Sequence, residues 1–137
     1  MKTIFLFVCF VVQGCIQMLS AQTLTIEVHD AAKTESNLYV AFYSSSEDFL
    51  KKPLTGLCVA VTDTLLIIPC QGLPKGEYAF SLFQDENNNG RLDTAAFGIP
   101  TEKYAFSNNA EGIMGPPSYE DCRFRLQKDT TVVVYLH

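Results

Sequence analysis

From Thr23 onward, apolar and polar residues alternate in short runs. Leu24, Ile26 and Val28 interleave with Thr25 and Glu27 as far as His29, and Leu38, Val40 and Phe42 interleave with Tyr39, Ala41 and Tyr43. Successive side chains of an extended chain point to opposite faces, so this period of two predicts strands over 23–29 and 37–43, each buried on at least one face. The same pattern predicts strands at Leu57–Thr62, Leu65–Cys70, Glu77–Phe83, Cys122–Leu126 and Thr131–Leu136. Asp63-Thr64 marks the turn of a hairpin between the third and fourth strands, and Gly72, Pro74 and Gly76 punctuate the turn that follows. Ser44–Lys52 predicts one short helical turn, capped by Ser45 or Ser46, with Phe49 and Leu50 folded back onto the core. Seven short strands without a helical crossover predict an all-β fold: a seven-stranded antiparallel β-sandwich with Greek-key wiring. Immunoglobulin-like and transthyretin-like arrangements both fit. One long loop stands out, residues 84–121, well beyond the ~12 to 15 residues usual for a structureless connection.

The first residues do not follow this pattern. Lys2 precedes an apolar run, Ile4–Val12, and Leu19-Ser20-Ala21 ends in a small residue suited to signal-peptidase cleavage before Gln22. Residues 1–21 are therefore expected to be a signal peptide, and residues 22–137 a single β-sandwich domain in the periplasm or outside the cell. Neither the apolar run nor any later segment reaches the ~20 apolar residues that span a bilayer as a helix, so no transmembrane span is expected. Val12-Gln13-Gly14-Cys15 resembles a lipobox, although Gln13 fits poorly; it makes a lipid anchor at Cys15, on an outer-membrane lipoprotein, the alternative.

Cleavage removes one of 10 basic residues and none of 15 acidic ones, which takes the formal charge from −5 to −6. Scattered basic residues under a net acidic charge exclude nucleic acid as a partner, because a phosphate backbone needs clustered Lys and Arg. Three cysteines remain: Cys58, Cys70 and Cys122. Cys58 and Cys70 lie symmetrically about Thr64, so a cross-strand disulfide and two buried thiols are both open readings. The two histidines, His29 and His137, stand at opposite ends of the domain, and neither a nucleophile triad nor zinc spacing nor a glycine-rich phosphate loop is present.

The chemistry concentrates in Asp85-Glu86-Asn87-Asn88-Asn89-Gly90-Arg91-Leu92-Asp93. Oxygen-bearing side chains at alternate positions, Asp85, Asn87 and Asn89, converge on a hard cation when a glycine permits the sharp turn; the Arg91 carbonyl and Asp93 add further oxygens. Calcium is the cofactor this pattern suggests. It is not an EF-hand, since Ala96 holds the twelfth position, where a bidentate glutamate belongs, and neither flank reads as a helix. Glu102, Glu120 or Asp121 would have to fold back to complete the shell. The competing reading is an Asx-rich turn whose side chains bond their own backbone. Glu102, Tyr104, Ser107, Asn108 and Asn109 form a second candidate set, a polar ligand-binding patch beside the loop with Tyr104, Phe106 and Tyr119 as aromatic walls. The alternative is that those aromatics pin the long loop to the sandwich.

Gly76-Glu77-Tyr78-Ala79, the run Asp85–Asp93, Gly98–Glu102, Tyr104–Asn109 and Gly115–Asp121 together resemble a family of small secreted bacterial proteins known as a domain of unknown function, common among Gram-negative gut and environmental bacteria. The resemblance covers about residues 22–137 and is specific from Gly76 to Asp121. It implies that Asp85, Asn87, Asn89 and Asp93 are signature positions. This chain departs from the pattern at Gln84, where the family often has His, and at Ala95, where it often has Asn. The resemblance implies no activity. The expected function is an exported cell-envelope binding or structural module for a glycan, peptide or protein; the alternative is a small extracytoplasmic hydrolase or carbohydrate-active enzyme using loop carboxylates.

Overall fold

The computed structural model describes residues 22–137; the expected signal peptide and its Cys15 motif lie outside the described residues. Alternation along β1 (Leu24–His29) sends Leu24, Ile26 and Val28 inward to zero exposure. In β2 (Asn37–Tyr43), Leu38, Val40 and Phe42 turn inward. Then come β3 (Thr55–Ala60), β4 (Leu66–Cys70), the ten-residue β5 (Gly76–Asp85), β6 (Tyr104–Phe106), a four-residue helix α1 (Tyr119–Cys122), β7 (Phe124–Leu126) and β8 (Thr130–Tyr135). Two sheets result. The smaller has the order β4-β1-β8, and the larger has the order β3-β2-β5-β6, with β7 also paired to β5.

The inward faces of both sheets meet in one core that holds Ile26, Val28, Leu38, Phe42, Phe80, Leu82, Leu126 and Val134. Phe80 packs edge-on against Phe42 and Phe124, with ring centroids 6.0 and 5.8 Å away. On one side the sheets are laced together, because Tyr104 and His137 exchange two backbone hydrogen bonds of 3.2 Å. On the other side they part. There β3 and β4 border a groove of about 480 Å³ lined by Leu57, Val59, Leu66 and Ile68.

The sandwich is the architecture that the alternation predicts, with eight strands in place of seven. The added strand, β6, is three residues long and lies inside the stretch expected to be loop. One pairing is also parallel: β8 runs alongside β1 from Thr130, opposite Leu24, to Tyr135, opposite His29. The chain enters β8 through Asp129, whose carboxylate accepts the Thr23 N–H at 2.7 Å, so the two strands start side by side. The expected hairpin between the third and fourth strands does not form. β3 pairs antiparallel with β2 and β4 with β1, in different sheets. Residues 61–65 cross between the layers, held where Thr64 accepts the Ala31 N–H at 3.1 Å. Cys58 is consequently exposed on one sheet and Cys70 buried on the other, and both are free thiols, as is Cys122. Residues 44–52 form turns, with Ser45 Oγ accepting from the Asp48 N–H at 3.3 Å. Phe49 folds inward as expected, whereas Leu50, at a positive φ of 58°, stays exposed.

Faces of one strand should therefore respond differently to truncation. Ile26, with zero exposure, stands between Ile68 and Val132 in the register; Ile26→Ala is expected to cost about 2–5 kcal/mol in urea unfolding. Ile67, on the outer face of β4, is 57% exposed; Ile67→Ala should stay within about 0.5 kcal/mol of the parent. Equal losses would contradict the assignment of faces.

Candidate functional site

Strand β5 carries its pattern one turn past the core and ends in two fully buried polar residues, Gln84 and Asp85. Gln84 points inward beneath the 30–36 loop. Its Oε1 accepts the Ala32 N–H at 2.8 Å, while Nε2 donates to the Ala32 carbonyl at 2.7 Å and to Ser36 Oγ at 2.8 Å. This amide satisfies a segment that has no strand partner of its own. Nothing in the sequence marks that role, because the alternation that predicts the strand ends at Phe83 and places Gln84 at the start of a loop.

Asp85 faces the other way and organises the signature loop. Its Oδ1 accepts the Asn89 N–H at 3.2 Å and its Oδ2 the Gly90 N–H at 2.7 Å. The chain reverses tightly enough for this because Asn88 and Gly90 adopt positive φ angles of 56° and 78°, a region that glycine enters without steric cost and asparagine tolerates. Asn87 Oδ1 accepts the Asn89 N–H, and Asn89 Oδ1 accepts the Arg91 N–H. The Asx turns expected of this composition are thus formed. Asp93 lies across the loop, where Asn89 Nδ2 donates to both of its oxygens at 2.8 and 2.9 Å and Asn87 Nδ2 donates to Oδ2. Those amide donors, Asn89 first and Asn87 next, hold the Asp93 carboxyl below its ordinary pKa.

Glu102 closes the loop from outside. It is buried, and one oxygen accepts the Glu86 N–H at 2.7 Å while the other accepts the Asp93 N–H at 2.8 Å. One carboxylate therefore pins both ends of the loop; of Glu102, Glu120 and Asp121, Glu102 is the one that reaches it, with its oxygens on backbone N–H groups. Glu120 and Asp121 stand on α1. Asp85, Asn87, Asn89 and Asp93 are brought together by hydrogen bonds to one another and to the loop's backbone, and Arg91 is tied in through its backbone N–H. Asp85, Asp93 and Glu102 form no ion pair among the described residues.

The second candidate set is spread along the return path of the chain. Ser107, fully buried, accepts the Phe80 N–H at 3.0 Å and donates to the Cys122 carbonyl at 2.6 Å. Asn108 Nδ2 donates to the Asp121 and Arg123 carbonyls. Asn109 bonds the backbone of β8, donating to the Val133 carbonyl at 3.1 Å and accepting the Tyr135 N–H at 2.9 Å. These side chains hold the returning chain against the sandwich. Tyr119 acts likewise: it packs with Phe49, Tyr43 and Cys122 in a second small core, and its hydroxyl meets Glu77 Oε1 at 3.1 Å. Burial first, then the Glu77 carboxylate, pushes its phenol up to about 12. Tyr104 remains half-buried on the outward face, where the register sets it beside Phe83, and Phe83 beside Tyr39. The Phe83 and Tyr39 rings stack with centroids 5.3 Å apart.

Two outcomes follow. Gln84→Ala leaves the Ala32 backbone groups and Ser36 without their buried partner; a loss of about 2–3 kcal/mol is expected in chemical unfolding, and a change below 0.5 kcal/mol would show that water replaces the amide. For Asp93, a pKa lowered in the folded state gives stability that is present above the ordinary value of 3.8 and disappears as pH falls through the lowered one. In acid titrations followed by circular dichroism, the parent protein should therefore be more stable than Asp93→Asn at neutral pH and lose that advantage below pH 3.8. A constant gap at all pH values would rule the carboxylate out as its source.

No curated protein and no solved structure matches the chain. Residues 26–134, from the middle of β1 to near the end of β8, match a family described as an uncharacterized protein conserved in bacteria. That span takes in nearly all of the sandwich, the Asp85–Asp93 loop and the residues that anchor it, and the chain belongs to this bacterial family (DUF2141).

Proposed function

We propose that the protein is an exported binding module of the bacterial cell envelope whose Asp85–Asp93 loop takes up calcium. The observation that carries the calcium reading is the Asp93 carboxylate, faced by the side-chain amides of Asn87 and Asn89 and without an ion pair among the described residues. Asp85 and Glu102 spend their oxygens on backbone N–H groups, which leaves Asp93 as the loop's charge for a divalent cation to meet. An amide presents nitrogen on one side and oxygen on the other, so half a turn about the terminal bond of Asn87 and Asn89 replaces donors facing Asp93 with carbonyl oxygens, and the calcium-bound loop gives up the Asx bonds those oxygens accept from the Asn89 and Arg91 N–H groups. Asp93 and the two amide oxygens then supply ligands, with the Arg91 carbonyl beside them, while Asp85 and Glu102 hold the loop's backbone in place.

Export is supported by Lys2, the apolar run Ile4–Val12 and the small residues before Gln22. No helix among the described residues is long and apolar enough to cross a membrane. The ligand surface in this reading is the outward face of the larger sheet, where Tyr39, Phe83 and Tyr104 form a half-buried row next to the loop. A glycan or peptide of the envelope is the ligand class that such a mixed aromatic and polar face accommodates.

A ligand of the folded state raises stability by mass action, about 2.7 kcal/mol at a hundredfold excess over Kd, or roughly 10 °C in Tm for a domain of this size. Millimolar calcium should raise the Tm of the parent protein and chelator should reverse it, whereas Asp93→Asn should melt at one temperature in both. A parent Tm indifferent to calcium would end the metal reading.

A further inference from the structure

Asn89 is the one asparagine of the chain that precedes a glycine. In such a pair the main-chain nitrogen of the glycine lies within reach of the asparagine side-chain carbon, and no side chain on the glycine obstructs it. Here Gly90, at a φ of 78°, has only open space where a side chain would stand. Both residues are exposed to water. Every group that would react has a partner in place. The Gly90 N–H donates to Asp85 Oδ2 at 2.7 Å, and Asn89 Oδ1 accepts the Arg91 N–H at 3.1 Å. Asn89 Nδ2 donates to the two oxygens of Asp93 at 2.8 and 2.9 Å. The Oδ1 bond folds the side chain back over the Asn89–Gly90 peptide, because the Gly90 nitrogen lies inside the ring that this bond closes.

We infer that Asn89-Gly90 is a self-modifying site, at which the folded loop converts its own asparagine amide into a carboxylate through a succinimide. The Gly90 nitrogen attacks Asn89 Cγ, and a C–N bond forms. The attacking lone pair stands perpendicular to the peptide plane, whereas the N–H bond lies in that plane and points at Asp85. Asp85 therefore takes the proton without standing in the path of attack. Negative charge builds on Oδ1 as Cγ becomes tetrahedral, and the Arg91 N–H is already placed to meet it. Asp93 is a positioning residue: by holding Nδ2 it keeps the oxygen end of the amide on Arg91.

The Cγ–Nδ2 bond then breaks. The departing nitrogen takes a proton from water and leaves as ammonia, and Asp85, its donor gone, returns one to solvent. A water molecule opens the ring. Attack at Cγ gives aspartate with the ordinary main chain, and attack at the main-chain carbonyl gives isoaspartate. Nothing is oxidised or reduced; one NH2 is exchanged for OH, with water consumed and ammonia released. The product sets a second carboxylate beside Asp93 in place of its amide donor. The chemistry needs no cation and starts from the loop with Oδ1 on the Arg91 N–H, so it is separate from the calcium reading.

The experiment compares the rate of conversion in the native protein with that in the same chain unfolded in guanidinium chloride, both in the presence of chelator. Trypsin cleaves after Lys75 and Arg91 and releases residues 76–91 as one peptide, in which chromatography and mass spectrometry separate the asparagine, succinimide, aspartate and isoaspartate forms. The native protein is expected to convert ~10-fold faster than the unfolded chain, a part of the ~100-fold that a positioned base supplies in enzymes. Asn89→Gln requires a larger ring and should leave the peptide unconverted. Asp85→Asn preserves the Asn-Gly pair, so its unfolded rate should equal the parent's while the acceleration on folding disappears. A native rate equal to or below the unfolded rate overturns the inference, since the loop would then only protect its amide. So does conversion at Asn87 or Asn88 that survives Asn89→Gln, or an acceleration that survives Asp85→Asn. Should Asp85→Asn fail to fold, the parent protein and Asn89→Gln decide the question.

Discussion

An aspartate with no exposed surface at the end of a central strand has to find hydrogen-bond donors inside the protein, since an unsatisfied buried carboxylate costs several kcal/mol or more. Asp85 finds them in the backbone of its own next turn, and the loop takes its shape from that requirement. The N–H groups of Asn89 and Gly90 must face back toward the strand. Asn88 and Gly90 must therefore enter the left-handed region, and Asn87 and Asn89 fall on the side where their amides reach Asp93. Glu102 repeats the arrangement from the opposite side of the loop, a buried carboxylate that accepts one backbone N–H from each end. The chain leaving Glu102 can then lie down as β6 against β5 and deliver Ser107 to the Phe80 backbone.

The alternating positions of β1, β2, β4 and β5 were legible residue by residue, because burial of one face leaves a direct record in the sequence. Partnership between strands leaves no such record. Leu57–Thr62 and Leu65–Cys70 alternate as a hairpin would, yet Val61–Leu65 carries the chain from one layer to the other. The same gap explains the parallel meeting of β1 and β8, which join the two ends of the domain and rest on Asp129. β6 was hidden because three residues are too few to show a period. In the loop, spacing identified Asp85, Asn87, Asn89 and Asp93 as a group, and Glu102 as a residue able to return to them. The contribution of Gln84 was not legible, since a glutamine facing a loop carries no periodic signal. Ser107, Asn108 and Asn109 stand out for their polarity, but a sequence does not say whether a polar side chain faces an outside ligand or its own backbone.

The two sheets have different jobs in this arrangement. The smaller one is built around β1, whose inward residues are wholly buried and whose two neighbours come from distant parts of the chain. It holds the domain together over its full length. The larger one presents its outward face between two polar and aromatic structures that rise above it, the Asp85 loop at one end of β5 and the small Tyr43, Phe49 and Tyr119 core at the other. Half-buried rings lie on the strip between them.

Ser107 has a consequence for how this fold can vary. Its hydroxyl fastens the β5 backbone to the Cys122 carbonyl at a point with no exposure, while Glu102 fixes the preceding loop. The hairpin around Phe97 and the excursion around Ile113 and Met114 hang outside these two fastenings, with side chains almost wholly in solvent. Segments tethered in this way can lengthen, shorten or change composition without transmitting strain to the core, since exposed loop tips tolerate insertion where buried backbone does not. Lineages could thus remodel the rim of the domain while the sandwich beneath it stays the same.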